Sequence, residues 1–308
     1  AEPFDNGWDA RAFTEILQTF MPVSQCQSVS CNLSDGAQGY VDALIGQSVC
    51  QRVTLPPDPA LSARKISYAV RGNNAILEFS ELNGLSDSRL YGTMILHALT
   101  QGCRRFYLVL SPLGPEDGGL GMLEALGMKF SFDDQGEIVQ ADDQELKKTL
   151  RGLTFIALCD PQDLYRNTMP VSPLVRWLKQ TSAAAEPGAA AGHGLGYTIQ
   201  ALLQGKCQDS VAALMSTIGF RERLRHADAL LCFRQKPLSP ASPSSLPQAA
   251  AIAHHEDMLT ILVTPAETQV AQAEILGFDQ VVKLPEGPLS DQDVQTALRE
   301  ILKELSRL

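Results

Sequence analysis

Apolar positions recur along the chain with two different periods, which predict where helices and strands lie. Helical spacing of apolar residues predicts helices over residues 10–20, 39–45, 90–101, 120–126, 197–203, 209–218, 249–255, 267–276 and 291–308. Short apolar runs with branched or aromatic residues predict strands over residues 27–33, 104–110, 154–159, 229–233, 259–263 and 280–284. Strands that alternate with helices are typical of a parallel sheet.

A different pattern between residues 48 and 85 predicts a second sheet. Segments 51–55, 65–71 and 75–79 alternate like antiparallel strands around a turn at 72–74, and 129–139 predicts a hairpin that turns at 133–136. With 308 residues, the chain is long enough for two domains. We therefore predict an α/β fold with a Rossmann-like parallel-sheet domain from residues 1–47 and 197–308. An inserted mixed-sheet α/β domain would comprise residues 48–196, with a ligand cleft between the two.

Two loops that precede predicted helices carry an acid beside glycine. Asp35 lies in the loop before the helix at 39–45, and Asp117 stands before Gly118 and Gly119 at the helix that begins near Leu120. Glycine lets the backbone approach a ligand, and the first turn of a helix offers N–H groups to an anion. Asp35 and Asp117 are therefore candidate catalytic residues. Each also has a purely structural interpretation, because Asp-Gly is a common turn pair and aspartate a common N-cap.

Four residues near predicted strand ends are candidates for substrate binding: Glu78, Gly118, Gly119 and Asp160. Glu78 lies at the end of an apolar strand and Asp160 directly follows the strand at 154–159. A buried Glu78 would need a partner, for which Arg71 or Arg89 is available, so a structural ion pair competes with a binding role.

The segment 182–196 is rich in alanine and glycine and is interrupted by Pro187. Such a composition fits either a flexible linker or a glycine-lined site that opens the helix at 197–203. Under the second interpretation, Gly192, His193 and Gly194 are candidates for cofactor binding.

Charge and cysteine content exclude several classes of function. A formal net charge of -10 and a pI near 5.0, with no basic cluster, argue against nucleic acid and acidic membrane surfaces as partners. The sequence has no pattern of a signal peptide or a transmembrane span. The seven scattered cysteines, mostly in apolar contexts, fit reduced thiols in a cytoplasmic protein. Cys26 and Cys31 lack the second ligand pair of a metal site, so we expect no metal centre.

Five segments match, in order, the motifs of one known family. Segments 34–43, 77–85, 159–161 and 187–196 correspond to that family's ADGGEGTVDA, IEMAxASGL, CDVxNPL and PGAGAAGGMG. Its GGSATNDGGAGMLxALG corresponds to residues 111–127, where Asp117, Gly118 and Gly119 are kept. The chain thus resembles the type-1 glycerate kinases, bacterial enzymes that phosphorylate glycerate with ATP. The resemblance implies a Rossmann-like domain interrupted by a second α/β domain.

Other positions depart from the family's pattern where phosphate chemistry is expected. The lysine of the family's SFKESLSA corresponds to Asp5, and the GGS of its GGSAT corresponds to Ser111, Pro112 and Leu113. A carboxylate repels a triphosphate, proline lacks an N–H donor and leucine lacks a hydroxyl. The family's TGEGRxDxQT aligns with residues 232–240, where both acids and both glycines are gone. His193 also replaces a glycine and would fill space next to a bound nucleotide or substrate.

These departures predict a pseudoenzyme that keeps a cleft for a small acid and has lost efficient phosphoryl transfer. The alternative is an active kinase for glycerate or a related hydroxy acid, in which Asp117 and Asp35 work with Mg-ATP. A different small-acid enzyme built on the same two domains is a third interpretation. The expected partner is a small hydroxy acid or an unidentified protein, and a homo-oligomer stays open.

The start of the sequence raises one more expectation. Members of the family open with a strand, which is central in a Rossmann-like sheet, whereas this sequence begins at Ala1 without it. We expect either that residues precede Ala1 in the native chain or that the sheet is rearranged. In either case a substitute strand or a partner chain would cover the unpaired edge.

Overall fold

The computed structural model describes residues 29–56, 66–79, 87–110, 114–160, 172–181, 187–233, 245–265, 277–285 and 290–305. The predicted helices at 10–20 and 267–276 lie outside these residues, as do positions 5 and 111–113 and the segment that bears on the opening strand. Residues 29–33, the described part of the strand predicted at 27–33, form no strand.

Two compact units divide the chain. The middle unit comprises residues 36–213, and the terminal unit comprises residues 1–35 and 214–308. The terminal unit is thus built from both ends of the chain, with bounds other than the predicted 47/48 and 196/197. The difference arises because the helix at 40–46 packs against strands of the middle unit and a strand at 206–209 joins its sheet.

Six strands form the main sheet of the middle unit, in the order β1-β2-β3-β4-β7-β8. The strands are β1 (Gln51–Thr54), β2 (Ser67–Arg71), β3 (Asn74–Glu78), β4 (Arg105–Val109), β7 (Thr154–Cys159) and β8 (Lys206–Asp209). Strands β1 to β3 are antiparallel, whereas β3, β4, β7 and β8 are parallel. The mixed sheet and its first five strands confirm the pattern found in the sequence. Strand β8 was missed because its residues are polar and lack an apolar run.

A two-stranded antiparallel sheet, β5 (Lys129–Phe132) and β6 (Ile138–Asp142), confirms the predicted hairpin. Asp133 closes the turn, since its Oδ1 accepts the N–H groups of Gln135 at 2.9 Å and Glu137 at 2.8 Å. Aspartate commonly makes such bonds to its own turn.

Six helices of the described part belong to the middle unit. They are α1 (Tyr40–Gly46), α2 (Arg89–Thr100), α3 (Leu120–Ala125), α4 (Gln144–Thr149), α5 (Pro173–Thr181) and α6 (Ala191–Leu202). Leu77, Leu108 and Ala157 on one sheet face are fully buried in the core that α2, α3 and α6 help to form. The sequence pattern missed α4 and α5.

A three-stranded parallel sheet forms the centre of the terminal unit, in the order β11-β10-β9. Helix α7 (Ser210–Thr217) crosses the boundary between the units, and the elements that follow are α8 (Phe220–Leu224), β9 (Ala229–Phe233), α9 (Leu246–His255), β10 (Leu259–Pro265), β11 (Gln280–Leu284) and α10 (Asp291–Leu305). In the core of the terminal unit, Ile261, Val263 and Val282 pack against Leu298 and Ile301 of α10. Across the described ranges, no helix is both long and apolar enough to span a membrane.

Helix α6 lies directly on the turn that precedes it. A Cβ atom at Gly196 would stand 2.1 Å from the carbonyl oxygen of Gly188, well inside any normal contact. The N–H of Tyr197 donates to the carbonyl of Ala189 at 2.9 Å, which holds the two segments together. Glycine at 196 is therefore a packing requirement.

We expect Gly196→Ala to lower the free energy of unfolding by about 3 kcal/mol, because the new methyl group collides with backbone that has no room to move. Urea unfolding followed by circular dichroism measures the loss. Gly136→Ala is the matched control: its position is open, and its positive φ of 79° should cost only about 1 kcal/mol. Equal losses in the two variants would contradict this packing account.

A polar network joins the starts of β10 and β11 in the terminal unit. Asp279 Oδ2 accepts hydrogen bonds from the backbone N–H and the hydroxyl of Thr260, both at 2.8 Å, and lies 3.3 Å from His254 Nε2. The backbone N–H of Asp279 donates to Thr260 Oγ1 at 3.0 Å. Burial tends to raise the pKa of Asp279, but the bonds from Thr260 and His254 together hold this pKa below its usual value.

Because the folded-state pKa of Asp279 is lowered, its contribution to stability is present above the unfolded pKa of about 3.9 and is lost as the pH falls through the folded value. Asp279→Asn should therefore lower the melting temperature at neutral pH and flatten the decline in acid. Calorimetric melting of both proteins from neutral to strongly acidic pH tests this. Parallel curves at all pH values would argue against a role for the charge.

Candidate functional site

The carboxyl ends of four parallel strands line up along one edge of the middle unit's sheet. Glu78 of β3 pairs in register with Val109 of β4, which pairs with Leu158 of β7, and Cys159 pairs with Asp209 of β8. Parallel α/β sheets place their functional residues at this edge. Four of the nine candidates from the sequence lie on the loops that leave it: Asp117, Gly118, Gly119 and Asp160.

Glu78 is buried and binds the start of α1. Only 3% of its surface is exposed, and its two carboxylate oxygens accept the N–H groups of Gly39 at 2.7 Å and Val41 at 2.8 Å. The carboxylate thus meets two of the N–H groups that a helix N-terminus leaves unpaired. The expected arginine partners lie elsewhere: Arg71 pairs with Asn74 at the opposite end of β3, and Arg89 binds a different carboxylate.

Asp117 ties together the starts of α2 and α3. Its carboxylate accepts four hydrogen bonds, from the N–H and the hydroxyl of Ser88 at 2.9 and 2.8 Å and from the N–H groups of Gly119 and Gly121 at 3.0 Å. Ser88 Oγ in turn accepts the N–H of Met122 at 2.9 Å. The N–H groups expected to be free for an anion at α3 are therefore engaged by protein oxygens. Ser88 was missed as a site residue, although serine before a helical run is a common N-cap.

The pKa of a buried tyrosine, Tyr91, is affected by the negative charge of the Asp117 carboxylate. Tyr91 is 2% exposed, and its ring stacks on Phe79 with centroids 3.7 Å apart. Burial raises the pKa of Tyr91, and the negative charge of Asp117 raises it further. A second anion placed here would meet the same negative potential in apolar surroundings.

Gly118 and Gly119 allow close packing of the protein on itself. Both have positive φ, 66° and 97°. A Cβ at Gly118 would stand 2.5 Å from Ser172 Oγ, and one at Gly119 would stand 2.7 Å from Leu195 Cδ1. The Thr198 hydroxyl also donates to the carbonyl of Gly118 at 2.6 Å. The space that these glycines leave is thus filled by side chains next to and within α5 and α6.

Asp35 caps a helix within the terminal unit. Its Oδ1 accepts the N–H of Ser245 at 2.9 Å, and the Ser245 hydroxyl lies 3.3 Å away. Ser245 immediately precedes α9. Asp35 therefore belongs to a different compact unit from Glu78 and Asp117, and it makes the same kind of contact with a helix start.

The remaining candidates lie around β7 and α6. Asp160 is exposed directly after β7. Gly192, His193 and Gly194 form a left-handed stretch inside α6, with φ of 59°, 55° and 93°. His193 is half-buried, and a left-handed non-glycine residue costs about 1–2 kcal/mol. The binding roles of these four residues stay predictions.

Several basic side chains of the middle unit pair with carboxylates. Arg89 Nη2 lies 2.5 Å from Glu124 Oε2, close in sequence to the Ser88 contact with Asp117. Arg52 pairs with Asp42 and Arg176 with Glu137. Within the ranges that the structure describes, no group of three or more histidine, cysteine, aspartate or glutamate side chains could hold a metal ion.

Comparison with known proteins shows which protein family the chain belongs to. The sequence profile of the glycerate kinase family matches residues 3–164, which is more than half of the 308 residues. The chain belongs to the glycerate kinase family. This confirms the resemblance found in the sequence motifs.

Two glycerate kinases that match this chain are distant from it in sequence. Glycerate kinase of Bacillus cereus (strain ATCC 10987 / NRS 248) is 22% identical over 259 residues, which cover 67% of this chain and 68% of that protein. Glycerate 2-kinase of Escherichia coli (strain K12) is 22% identical over 265 residues, covering 70% and 69%. At 22% sequence identity, most residues of this chain differ from those of the two kinases.

A solved structure of the glycerate kinase family shares the fold. The protein provisionally assigned as glycerate kinase 2 from Salmonella typhimurium LT2 superposes with a TM-score of 0.70 at 17% identity. The match covers 97% of this chain and 93% of that one. The α/β fold with parallel and mixed sheets is thereby confirmed.

We expect Glu78→Gln to lower the free energy of unfolding by about 2–3 kcal/mol, because the amide keeps one acceptor and turns an NH₂ group toward a buried N–H donor. Chemical unfolding measures the loss. Glu124→Gln is the matched control, since its exposed pair with Arg89 should contribute less than about 1 kcal/mol. If both substitutions cost the same, the carboxylate at α1 is not an important cap.

Proposed function

We propose that this member of the glycerate kinase family binds a small hydroxy acid and transfers phosphoryl groups from ATP very slowly or not at all. Such a protein is a pseudoenzyme: it keeps the family's fold and has lost efficient phosphoryl transfer. Its support comes from the contacts of the acids that match the family's motifs and from the residues that depart from those motifs.

The engaged carboxylate of Asp117 is the observation that carries the proposal. A carboxylate has about four acceptor sites, and Asp117 receives four hydrogen bonds from Ser88, Gly119 and Gly121. A general base must accept a proton at one of those sites, and a magnesium ligand must turn one toward the ion. At Oδ2, which accepts three of the four bonds, either role would break contacts that hold the starts of α2 and α3 together, whereas Oδ1 accepts only the N–H of Gly119.

The residues near the strand ends also fit Mg-ATP poorly. Phosphoryl transfer depends on N–H donors and cations that surround the transferred phosphate. The N–H groups of Gly39, Val41, Gly119 and Gly121 already bind internal carboxylates. A phosphate at these helix starts would have to displace a carboxylate, which is a covalently tethered competitor.

Departures from the family's motifs also favour slow phosphoryl transfer. Asp5 stands where the family has a lysine, and Ser111, Pro112 and Leu113 stand where it has two glycines and a serine. Loss of a single transition-state stabiliser commonly lowers the rate about 10²- to 10³-fold. With several changes together, we expect turnover at least about 10³-fold below that of an active kinase.

A second candidate function is an active ATP-dependent kinase for glycerate or a related hydroxy acid. It is favoured by the names of the Bacillus cereus and Escherichia coli relatives and by the retained Asp117, Gly118 and Gly119. Under this candidate, Mg-ATP is the cofactor and Asp117 acts through Oδ1, which accepts only the N–H of Gly119, or else releases one of the three bonds to Oδ2.

Calorimetric titration with Mg-ATP, followed by an assay of ADP release in the presence of glycerate, decides between the two candidates. We expect no saturable heat at millimolar Mg-ATP and ADP release no faster than the nucleotide's background hydrolysis. Glycerate kinase of Bacillus cereus, measured in parallel, serves as the positive control. Glycerate alone should still raise the melting temperature, because a ligand that binds only the folded state stabilises it.

Two variants test whether any measured turnover depends on the Asp117 carboxylate. Asp117→Asn removes the charge of the candidate base, whereas Ser88→Ala removes one of its hydrogen-bond donors and leaves the carboxylate in place. Turnover near that of the Bacillus cereus enzyme that is lost in Asp117→Asn but kept in Ser88→Ala, with both variants folded, would overturn the pseudoenzyme proposal.

A further inference from the structure

Two cysteines lie close together on adjacent parallel strands, near the carboxyl edge of the middle unit's main sheet. Cys159 is the last residue of β7 and Cys207 lies in β8, and the register pairs Cys207 with Ala157 and Cys159 with Asp209. Residues two apart on a strand point to the same face. The two thiols are therefore diagonal neighbours on one face of the sheet.

The position of Gly188 limits the distance between the two sulfurs. A Cβ built on Gly188 would stand 2.9 Å from the Sγ of Cys159 and 2.9 Å from the Sγ of Cys207. Since both sulfurs lie that close to one point, they are separated by at most twice that distance. No disulfide joins Cys159 and Cys207 in this structure.

The environments of the two thiols differ in a way that assigns them different roles. Cys207 is half-buried, and Gln200 Nε2 donates a hydrogen bond to its Sγ at 3.2 Å. The same Nε2 donates to the carbonyl of Pro187 at 3.0 Å, which fixes the orientation of the amide. A donor to sulfur favours the thiolate, the nucleophilic form of cysteine. Cys159 is 4% exposed and has far less access to a reagent in solution.

We propose that Cys207 is a site of reversible oxidation by hydroperoxides and that Cys159 resolves the product to a disulfide. The Cys207 thiolate attacks a peroxide oxygen, the O–O bond breaks, and a sulfenic acid and hydroxide form. The Cys159 sulfur then attacks the sulfenic sulfur, the S–O bond breaks, and water leaves with the thiol proton. Two thiols and one hydrogen peroxide thus become one disulfide and two waters.

The disulfide would move the carboxyl edge of the sheet. Diagonal neighbours on adjacent strands have Cα atoms about 7–8 Å apart, whereas a disulfide spans at most about 7 Å. The bond must therefore pull β8, the last strand of the described sheet, toward β7. Asp209, two residues after Cys207, accepts the N–H of Ala212 at the start of α7 and would shift with the strand. A disulfide under such strain is readily reduced, which makes the modification reversible.

Peptide mapping of the full chain after treatment with hydrogen peroxide tests the proposal. The reduced protein is exposed to a small molar excess of peroxide, alkylated without reductant, digested and analysed by mass spectrometry. We expect a cross-linked pair of peptides that contain Cys159 and Cys207, and its disappearance after treatment with dithiothreitol. This experiment needs no variant, so it does not depend on the folding of one.

Variants separate the two proposed roles. Cys159→Ser should leave a sulfenic acid on Cys207 that dimedone traps, whereas Cys207→Ser should prevent the oxidation of Cys159. Gln200→Leu should slow disulfide formation about fivefold, the worth of one typical hydrogen bond. Cys103→Ser, at a fully buried thiol outside the pair, should form the Cys159–Cys207 disulfide as the unaltered chain does.

Two results would overturn the proposal. One is a Cys207 thiol that survives peroxide with no faster loss than the buried Cys103. The other is oxidation of Cys207 to a sulfinic acid while Cys159 stays a thiol, because a resolving partner within reach would have intercepted the sulfenic acid.

Discussion

Carboxylates bound to the starts of helices hold this fold together where its strands end. A helix N-terminus carries partial positive charge and unpaired N–H groups, so an internal anion there stabilises the helix by up to about 2 kcal/mol when partly buried. Glu78 serves α1, Asp117 serves α2 and α3, and Asp35 serves α9 through Ser245. The short helices α1 and α3, of 7 and 6 residues, depend on such contacts because they are too short to be stable alone.

The same contacts determine the role of Gly118 and Gly119, the two glycines that match the family's motif. Once Asp117 draws the starts of α2 and α3 together, Gly118 and Gly119 must pass close to Ser172 and Leu195, and a side chain on either glycine would collide. Motifs that resemble a phosphate cradle in the sequence thus serve the packing of this chain. The chain keeps the family's fold under these constraints, and we propose that its departures from the family's motifs affect phosphoryl transfer.

Much of the fold could be predicted from the sequence, because it follows from local periodicity. The antiparallel strands around Gly72, the hairpin that turns at Asp133 and the parallel strands other than β8 show their apolar pattern within a few residues. Strand β8 could not be predicted this way, since Lys206 and its neighbours gain their strand conformation only by pairing with β7.

The candidate site was predicted less completely, for a related physical reason. The acids Asp35, Glu78 and Asp117 stand out in the sequence, but each has at least one partner that is distant along the chain. Glu78 and Gly39 are 39 positions apart, and Asp35 and Ser245 are 210 apart. Only the folded backbone shows that the N–H groups next to these acids are already engaged.

The central claim is that internal carboxylates occupy the helix starts that an ATP phosphate would need. Backbone amide chemical shifts in isotope-labelled protein test it directly, during addition of inorganic phosphate and then Mg-ATP at constant ionic strength. The amides of Gly39, Val41, Gly119 and Gly121 should keep their shifts at millimolar ligand. Saturable changes at these four amides would show that phosphate displaces the carboxylates, and would contradict the account.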